Sequence, residues 1–400
     1  MNSGWTKTTL GGLCDSGQAM IQTGPFGSQL HSYDYRPTGV PVIPTEAIRR
    51  RRISDASVPR VPEEIAIRLS RHALKAGDIL FARRGAQATG LSAIVEPRHE
   101  GWLCGTGAIL LRLHTSDVDA TFLSFALSSE ATISWLKAHA VGAVMPNLNE
   151  GVLRRLPLLL PSPPNQRAIA RMLRVLDDKI ELNRQMNDTL EAMSKTLFNS
   201  WFVQTTQDGL PEGWGEASIY EAADVVYGAP FSSAHFNTER TGKPLIRIRD
   251  LADEDPEVFT SEEHPKGYLV KPGDIVVGMD GEFRAHLWGG EEGWLNQRVC
   301  VFAPKAGFSN VFVLNSIATQ LAEVEATETA TTVIHLGKSD IDRFSIVRPP
   351  ETMLRRFNDV CEPLYERIVF NKRASRTLAA LREALLPKLL SGQIRVKEFR

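Results

Sequence analysis

Hydrophobic residues recur at alternating steps of three and four along residues 165–203, at Ile169, Leu173, Leu176, Ile180, Leu190, Met193, Leu197 and Trp201. Asn183 and Asn187 hold two consecutive places of the same seam. That spacing predicts one unbroken helix with a heptad-like stripe. The pattern returns near the end of the chain as Phe357, Cys361, Leu364, Ile368, then Asn371 and Ser375, then Leu378, Leu381, Leu385 and Leu389. Pro164 stands at the start of the first helix, and Gly392 stops the second. A helix of about 39 residues reaches about 58 Å, beyond the radius of one domain, so the two stripes should cover each other. Antiparallel pairing sets Ile169 against Leu389, Asn183 against Ser375 and Asn187 against Asn371, so the polar layers coincide. Amides buried in a seam cost stability but pin register, because a slipped alignment leaves them facing hydrocarbon.

The rest of the chain is also written twice. "GVPVIPTEAI" from Gly39, "KAGDILFARRG" from Lys75 and "GWLCGTGAILLRL" from Gly101 return in order as "GKPLIRIRDL" from Gly242, "KPGDIVVGMDG" from Lys271 and "GWLNQRVCVFAP" from Gly293. The offset drifts from 203 through 196 and 192 to 188 in the helical seams, as differing loop lengths produce. These segments are short β-branched or alternating runs bounded by Gly, Pro and Asp, which predict strands. Helical patches near Thr121 and Phe312 follow the last strand of each copy. The expectation is α+β: two similar strand-rich domains with short helices, 1–160 and 206–350, and long helices at 161–205 and 351–400, related by a pseudo-twofold.

Composition narrows the possibilities. An apolar content of 42% sustains ordinary buried cores, and nothing approaches the length of a membrane span or a signal sequence. A cytoplasmic location is expected. Cys14, Cys104, Cys300 and Cys361 form no C-x-x-C pair, which argues for reduced structural thiols. The net charge of −1 hides an uneven distribution: +4 for 1–160, +1 for 161–204, −11 for 205–350 and +5 for 351–400. No general basic surplus announces a phosphate-binding surface. Phosphate-loop, zinc-helix, nucleophile-elbow, dinucleotide and amino-methyltransferase motifs are all missing. Asp280 and Glu282 with Arg284 loosely suggest a nuclease metal site, but lack its lysine and have no counterpart in the first copy.

What remains are polar side chains in loops between strands. Arg49 and Arg51 in the four-arginine run, Arg83, Arg84 and Gln87 after "DILFA", the Gly-rich Gln22–Gln29 and the segment around Asn147 are candidate DNA contacts in the first copy. Arg247, Arg249, Arg284 and Arg298 are their counterparts in the second, with Asn296 and Gln297 nearby. Arginine reads guanine edges through a two-pronged fork, and Asn or Gln reads adenine. A solvated arginine loop is the bland alternative.

"GVPVIP", "GDILFARRG", the helical stretch from "LPLLLPSPPNQRAIARML" to "NSWF", and the ending "LLPKLLSGQIRV" together resemble the DNA specificity subunit of Type I restriction-modification systems, across nearly the whole chain. Asn165 stands where that family typically has an acidic residue, and "PPETMLRRFND" departs further from its pattern. The resemblance implies two target-recognition domains that read the parts of a bipartite, asymmetric sequence in double-stranded DNA, held apart by antiparallel spacer helices. It implies no catalysis and no cofactor on this chain. Two methyltransferase subunits and the restriction or translocase subunits would bring S-adenosylmethionine, ATP and Mg2+. The competing readings are a coiled-coil scaffold with no DNA role and an atypical nuclease or methyltransferase.

Overall fold

The computed structural model describes residues 5–55, 58–85, 88–142, 147–327 and 334–396. The chain divides into two compact units, Met1–Asp178 with Ala379–Arg400, and Lys179–Leu378. Each unit takes a stretch of both long helices, Pro163–Phe198 and Glu351–Leu390, because it is against these stretches that its own core closes.

The first unit is built on an antiparallel sheet in the order Ala19–Thr23, Ala108–Leu113, Ile79–Ala82, Ser92–Ile94. Successive side chains of a strand point to opposite faces. Ile79, Phe81, Ile109 and Leu111 accordingly pack with the helices, while Leu80, Ala82, Ala108 and Leu110 pack on the other side with Ile43, Ile48 and Leu74. Burial on both faces is why "DILFA" reads as a continuous apolar run. On that other side Val40–Ile43 pairs antiparallel with Arg60–Val61 and parallel with Leu103–Cys104. Thr6–Thr9 pairs with Pro157–Leu160, which leads into the first long helix. The helical patch near Thr121 is two helices, Ala120–Leu127 and Glu130–His139, because Ser129 caps the second by accepting from the Thr132 N–H.

The second unit repeats this plan. Ala223–Tyr227, Val299–Pro304, Ile275–Gly278 and Ala285–Leu287 form the matching four-stranded sheet, and Lys243–Ile246 again pairs parallel, with Gly293–Leu295. One match differs from the sequence alignment. Leu103 lies opposite Val42 and Ala73, and Trp294 lies opposite Leu245 and Leu269, so Leu103 and not Trp102 is the counterpart of Trp294. The shared "GW" is displaced by one residue, which sends the two tryptophans to opposite faces. Trp102 packs against the cluster that contains Leu80 and Leu110, Trp294 against the one that contains Phe231 and Leu245.

Two small features recur because the framework demands them. A Cβ on Gly24 would lie 1.9 Å from the Gly105 carbonyl oxygen, and one on Gly228 would lie 1.9 Å from that of Asn296. Only glycine lets these backbone segments cross. The aspartate of each "GD" motif accepts from a backbone N–H three residues earlier: Asp78 from Lys75 at 2.7 Å and Asp274 from Lys271 at 2.8 Å. Burial pushes the Cys104 and Cys300 thiols up to about 12, as suits unreactive packing groups.

The long helices pair as their stripes require. In the first unit Ile169, Ala170 and Leu173 share a core with Leu386 and Leu389, and Arg382 pairs with Asp177. In the second unit Asn183 Nδ2 donates to Ser375 Oγ at 3.1 Å, and Asn371 Nδ2 donates to Asn187 Oδ1 at 2.9 Å. Asn183, Asn187 and Asn371 are all buried. Asn371→Leu leaves the Asn187 acceptor facing leucine, and an unmade buried hydrogen bond costs about 1–3 kcal/mol. Adding Asn187→Leu should recover much of that loss, and a double-mutant cycle by urea unfolding measures it. Strictly additive costs would show that the two amides do not act as a pair.

Candidate nucleic-acid interface

Three of the candidate side chains, Arg83 and Arg84 in the first unit and Arg298 in the second, lie where the central strands of each sheet end. In the first unit Arg83 follows the strand Ile79–Ala82. Its N–H donates to the Gly107 carbonyl at 2.9 Å, and its carbonyl accepts from Leu148 N–H at 2.8 Å. Asn147 bridges to Arg84 through the backbone, while its side-chain Oδ1 accepts from Arg83 Nε at 3.0 Å. Thr45 Oγ1 donates to the Gly107 carbonyl at 3.0 Å and ties in the third connection. Arg83 is half-buried and Arg84 exposed.

The second unit has the same rung with other side chains. Met279 N–H donates to the Arg298 carbonyl at 3.0 Å, Leu336 N–H donates to the Met279 carbonyl at 2.8 Å, and Asp280 bridges to His335. Met279 thus replaces Arg83, Asp280 replaces Arg84, Arg298 replaces Gly107 and His335 replaces Asn147. His335 Nδ1–H donates to Asp280 Oδ1 at 2.7 Å, and Arg298 Nε lies 3.7 Å from Asp280 Oδ2. The Arg298 side chain is 57% exposed. Arg284, nearby, faces Glu282 at 3.4 Å, both well exposed. Among the described residues no group of three or more His, Cys, Asp or Glu side chains is arranged to hold a metal ion, so Asp280 and Glu282 do not extend into such a cluster.

Two arginines from the candidate set point elsewhere. The Arg51 side chain is only 9% exposed, with one terminal nitrogen 3.0 Å from Glu383 Oε1 and Nε 3.6 Å from Asp177. Arg50 reaches the other Glu383 oxygen at 3.0 Å. Part of the four-arginine run thereby clamps the domain to the long helices of its own unit. Desolvation, then Arg382, lowers the Arg51 pKa, while burial of Glu383 is outweighed by the three guanidiniums around it, which hold its carboxyl below the usual range. Arg247, 18% exposed, grips Asp250 with both ends of its fork, at 2.8 and 3.0 Å, and closes a turn. Each needed a partner that its own flanking sequence does not single out as such. Arg49 and Arg249 are exposed, and Gln87 lies outside the described residues. The Gly-rich loop exposes Phe26.

The clamp exists in both units with reversed charge. Arg51 has φ +70° and Glu254 has φ +55°, both in the left-handed region. The two positions are related by the same offset of 203 that relates Gly39 to Gly242. Glu254 Oε1 receives Lys372 Nζ at 2.6 Å, and its carbonyl accepts from Arg376, both on the second long helix. The roles of Asp280 and His335 were not apparent from the sequence. The available signal was the dipeptide Asn147–Leu148 returning as His335–Leu336 at the offset of 188.

One framework used twice, clamped to long helices and varied at equivalent strand ends, defines a recognition protein with two reading modules. Residues 2–192 match the Type I restriction modification DNA specificity domain. The Type I restriction enzyme MjaIX specificity subunit of Methanocaldococcus jannaschii is 25% identical over 305 residues, covering 70% of this chain and 71% of that protein. The EcoBI specificity subunit of Escherichia coli is 29% identical over 188 residues, 46% of this chain and 40% of that one. The crystal structure of a Type I restriction-modification S subunit from M. genitalium shares the fold, with a TM-score of 0.58 at 16% identity over 100% of this chain and 98% of that chain. Residues 2–192 thus carry the DNA specificity domain of Type I restriction-modification systems, and the chain is similar to the specificity subunits of those systems. Its contribution is recognition, not catalysis.

Proposed function

We propose that each unit reads one segment of a two-part DNA target, and that the two segments differ in sequence. The supporting observation is the strand-end rung, which is the same in backbone and different in side chains: Arg83, Arg84 and Asn147 in one unit, Asp280, Arg298 and His335 in the other. Base edges are distinguished by donor and acceptor patterns, so unlike side chains on a common frame select unlike bases.

Two methyltransferase subunits and the restriction subunits bind this chain and supply the chemistry, with S-adenosylmethionine, ATP and Mg2+ on those partners. The acidic second domain fits such an assembly, because phosphate neutralisation can come from the partners while this chain supplies base contacts. The complex works in the cytoplasm. Among the described residues no helix is long and apolar enough to cross a membrane. Mapping methylated adenines in DNA from cells that express the chain with its partners tests the reading. The expected result is a single interrupted motif with unlike halves. A palindromic motif, or methylation without sequence preference, would sink it.

A further inference from the structure

An arginine flanked by a polar partner occurs at the same rung of both units, hydrogen-bonded in the first and ion-paired in the second, and it reaches that rung from opposite sides. In the first unit it is Arg83, with Asn147 Oδ1 at 3.0 Å from Nε. In the second it is Arg298, whose Nε lies 3.7 Å from Asp280 Oδ2, an ion-pair distance and no hydrogen bond, and whose Nη1 lies 3.5 Å from His335 Nδ1, with Asp280 itself fixed by His335 at 2.7 Å. Positions 83 and 107 are hydrogen-bonded neighbours, as are 279 and 298. The guanidinium has crossed the rung while keeping its place in the framework.

We infer that Arg83 and Arg298 are the guanine readers of the two units, and that Asn147, Asp280 and His335 are positioning residues that hold their forks. This rests on the reading of the units as recognition domains and adds the base and the residues. A guanidinium held in place by its neighbours presents its planar fork of donors in a fixed direction, which matches the O6 and N7 acceptors of guanine in the major groove. Restraint before binding removes part of the entropy lost when a long side chain is ordered. A carboxylate beside Arg298 also selects against the other common use of arginine. Asp280 repels a phosphate but leaves a neutral base edge acceptable. Arg84, exposed beside Arg83 and joined to Asn147 through its backbone, suits a phosphate instead.

The test uses the chain assembled with its methyltransferase partner, and selection from a randomised duplex library followed by sequencing. Wild type, Arg83→Lys, Arg298→Lys, Asn147→Ala and Asp280→Asn are compared. Lysine keeps the charge but loses the fork, so it separates a guanine reader from a phosphate contact. The expected result is a guanine preference in each half-site of the wild type. Arg83→Lys should lower it about 10- to 100-fold in one half only, and Arg298→Lys by as much in the other. Asn147→Ala should weaken the position that Arg83→Lys affects, and Asp280→Asn the one that Arg298→Lys affects, each with the opposite half unchanged as an internal control. Lysine variants that retain the wild-type preferences, or lose binding equally on every sequence, overturn the inference alone. A wild-type complex without any sequence preference overturns both it and the reading on which it rests.

Discussion

Phe357→Ala should destabilise the second unit by about 3–5 kcal/mol, the cost of emptying a buried aromatic site. Phe357 is fully buried on the second long helix. Its ring centroid lies 4.8 Å from that of Phe202, 5.8 Å from Trp201 and 6.2 Å from Phe198, all at the end of the first long helix. There the helix widens into a π turn, Asn199–Val203, and Phe198 and Phe202 both join the core with Phe312 of the helix Asn310–Thr327. Three elements meet on this one side chain, so the cavity cannot collapse by moving one of them. The counterpart in the first unit is Ile169, a smaller side chain buried in that unit's core. Ile169→Val should cost only about 0.5–1.5 kcal/mol. Urea unfolding followed by tryptophan fluorescence checks both. A loss below about 2 kcal/mol for Phe357→Ala, under the range for an emptied aromatic site, would mean that the aromatic cluster is not the keystone of its unit.

The two aspartates of the "GD" motif should respond unequally to the same substitution. Asp78 is buried and bound at both oxygens by Arg112, at 2.8 and 2.6 Å, besides accepting from Lys75 N–H. Asp78→Asn removes the charge and leaves a largely buried guanidinium without its counter-ion, at a cost of about 3 kcal/mol. In the second unit Ala303 stands where Arg112 would be. Asp274 is partnered by Lys271 N–H at 2.8 Å and the Tyr268 hydroxyl at 3.2 Å. Burial raises the Asp274 pKa above 3.8, against the pull of those hydrogen bonds. A raised native pKa means that the folded state holds its proton more tightly. Its stabilising contribution is complete below pH 3.8 and is lost as the pH climbs through the raised value. Asp274→Asn keeps an acceptor without a charge, so at neutral pH it should cost less than about 1 kcal/mol and should flatten that part of the pH profile. Equal losses at the two sites would refute this distinction.

The long helices were legible because a seam of threes and fours sustained over so long a stretch has no other regular solution, and the coincidence of Asn183 and Asn187 with Asn371 and Ser375 carried the antiparallel register. The duplication was legible because loop lengths shift the offset without disturbing the order of strands. The identity of the arginines that face outward was less legible. Arg49 and Arg51 are near neighbours in one run, yet Arg51 turns to Asp177 and Glu383, which lie far away along the chain on the two long helices.

By itself, then, the amino-acid order determined the elements, their repetition and the matching of the two helix stripes, since these rest on local spacing and on burying one continuous apolar face. The tertiary structure decided what local spacing does not encode. It set the one-residue displacement that sends Trp102 and Trp294 to opposite faces, and the clamp whose charges are reversed between Arg51 and Glu254. It also placed Asp280 and His335 beside Arg298. Each of these depends on which distant segment supplies the neighbour, and a charged or hydrogen-bonding side chain takes its role from that neighbour more than from its own position in the chain.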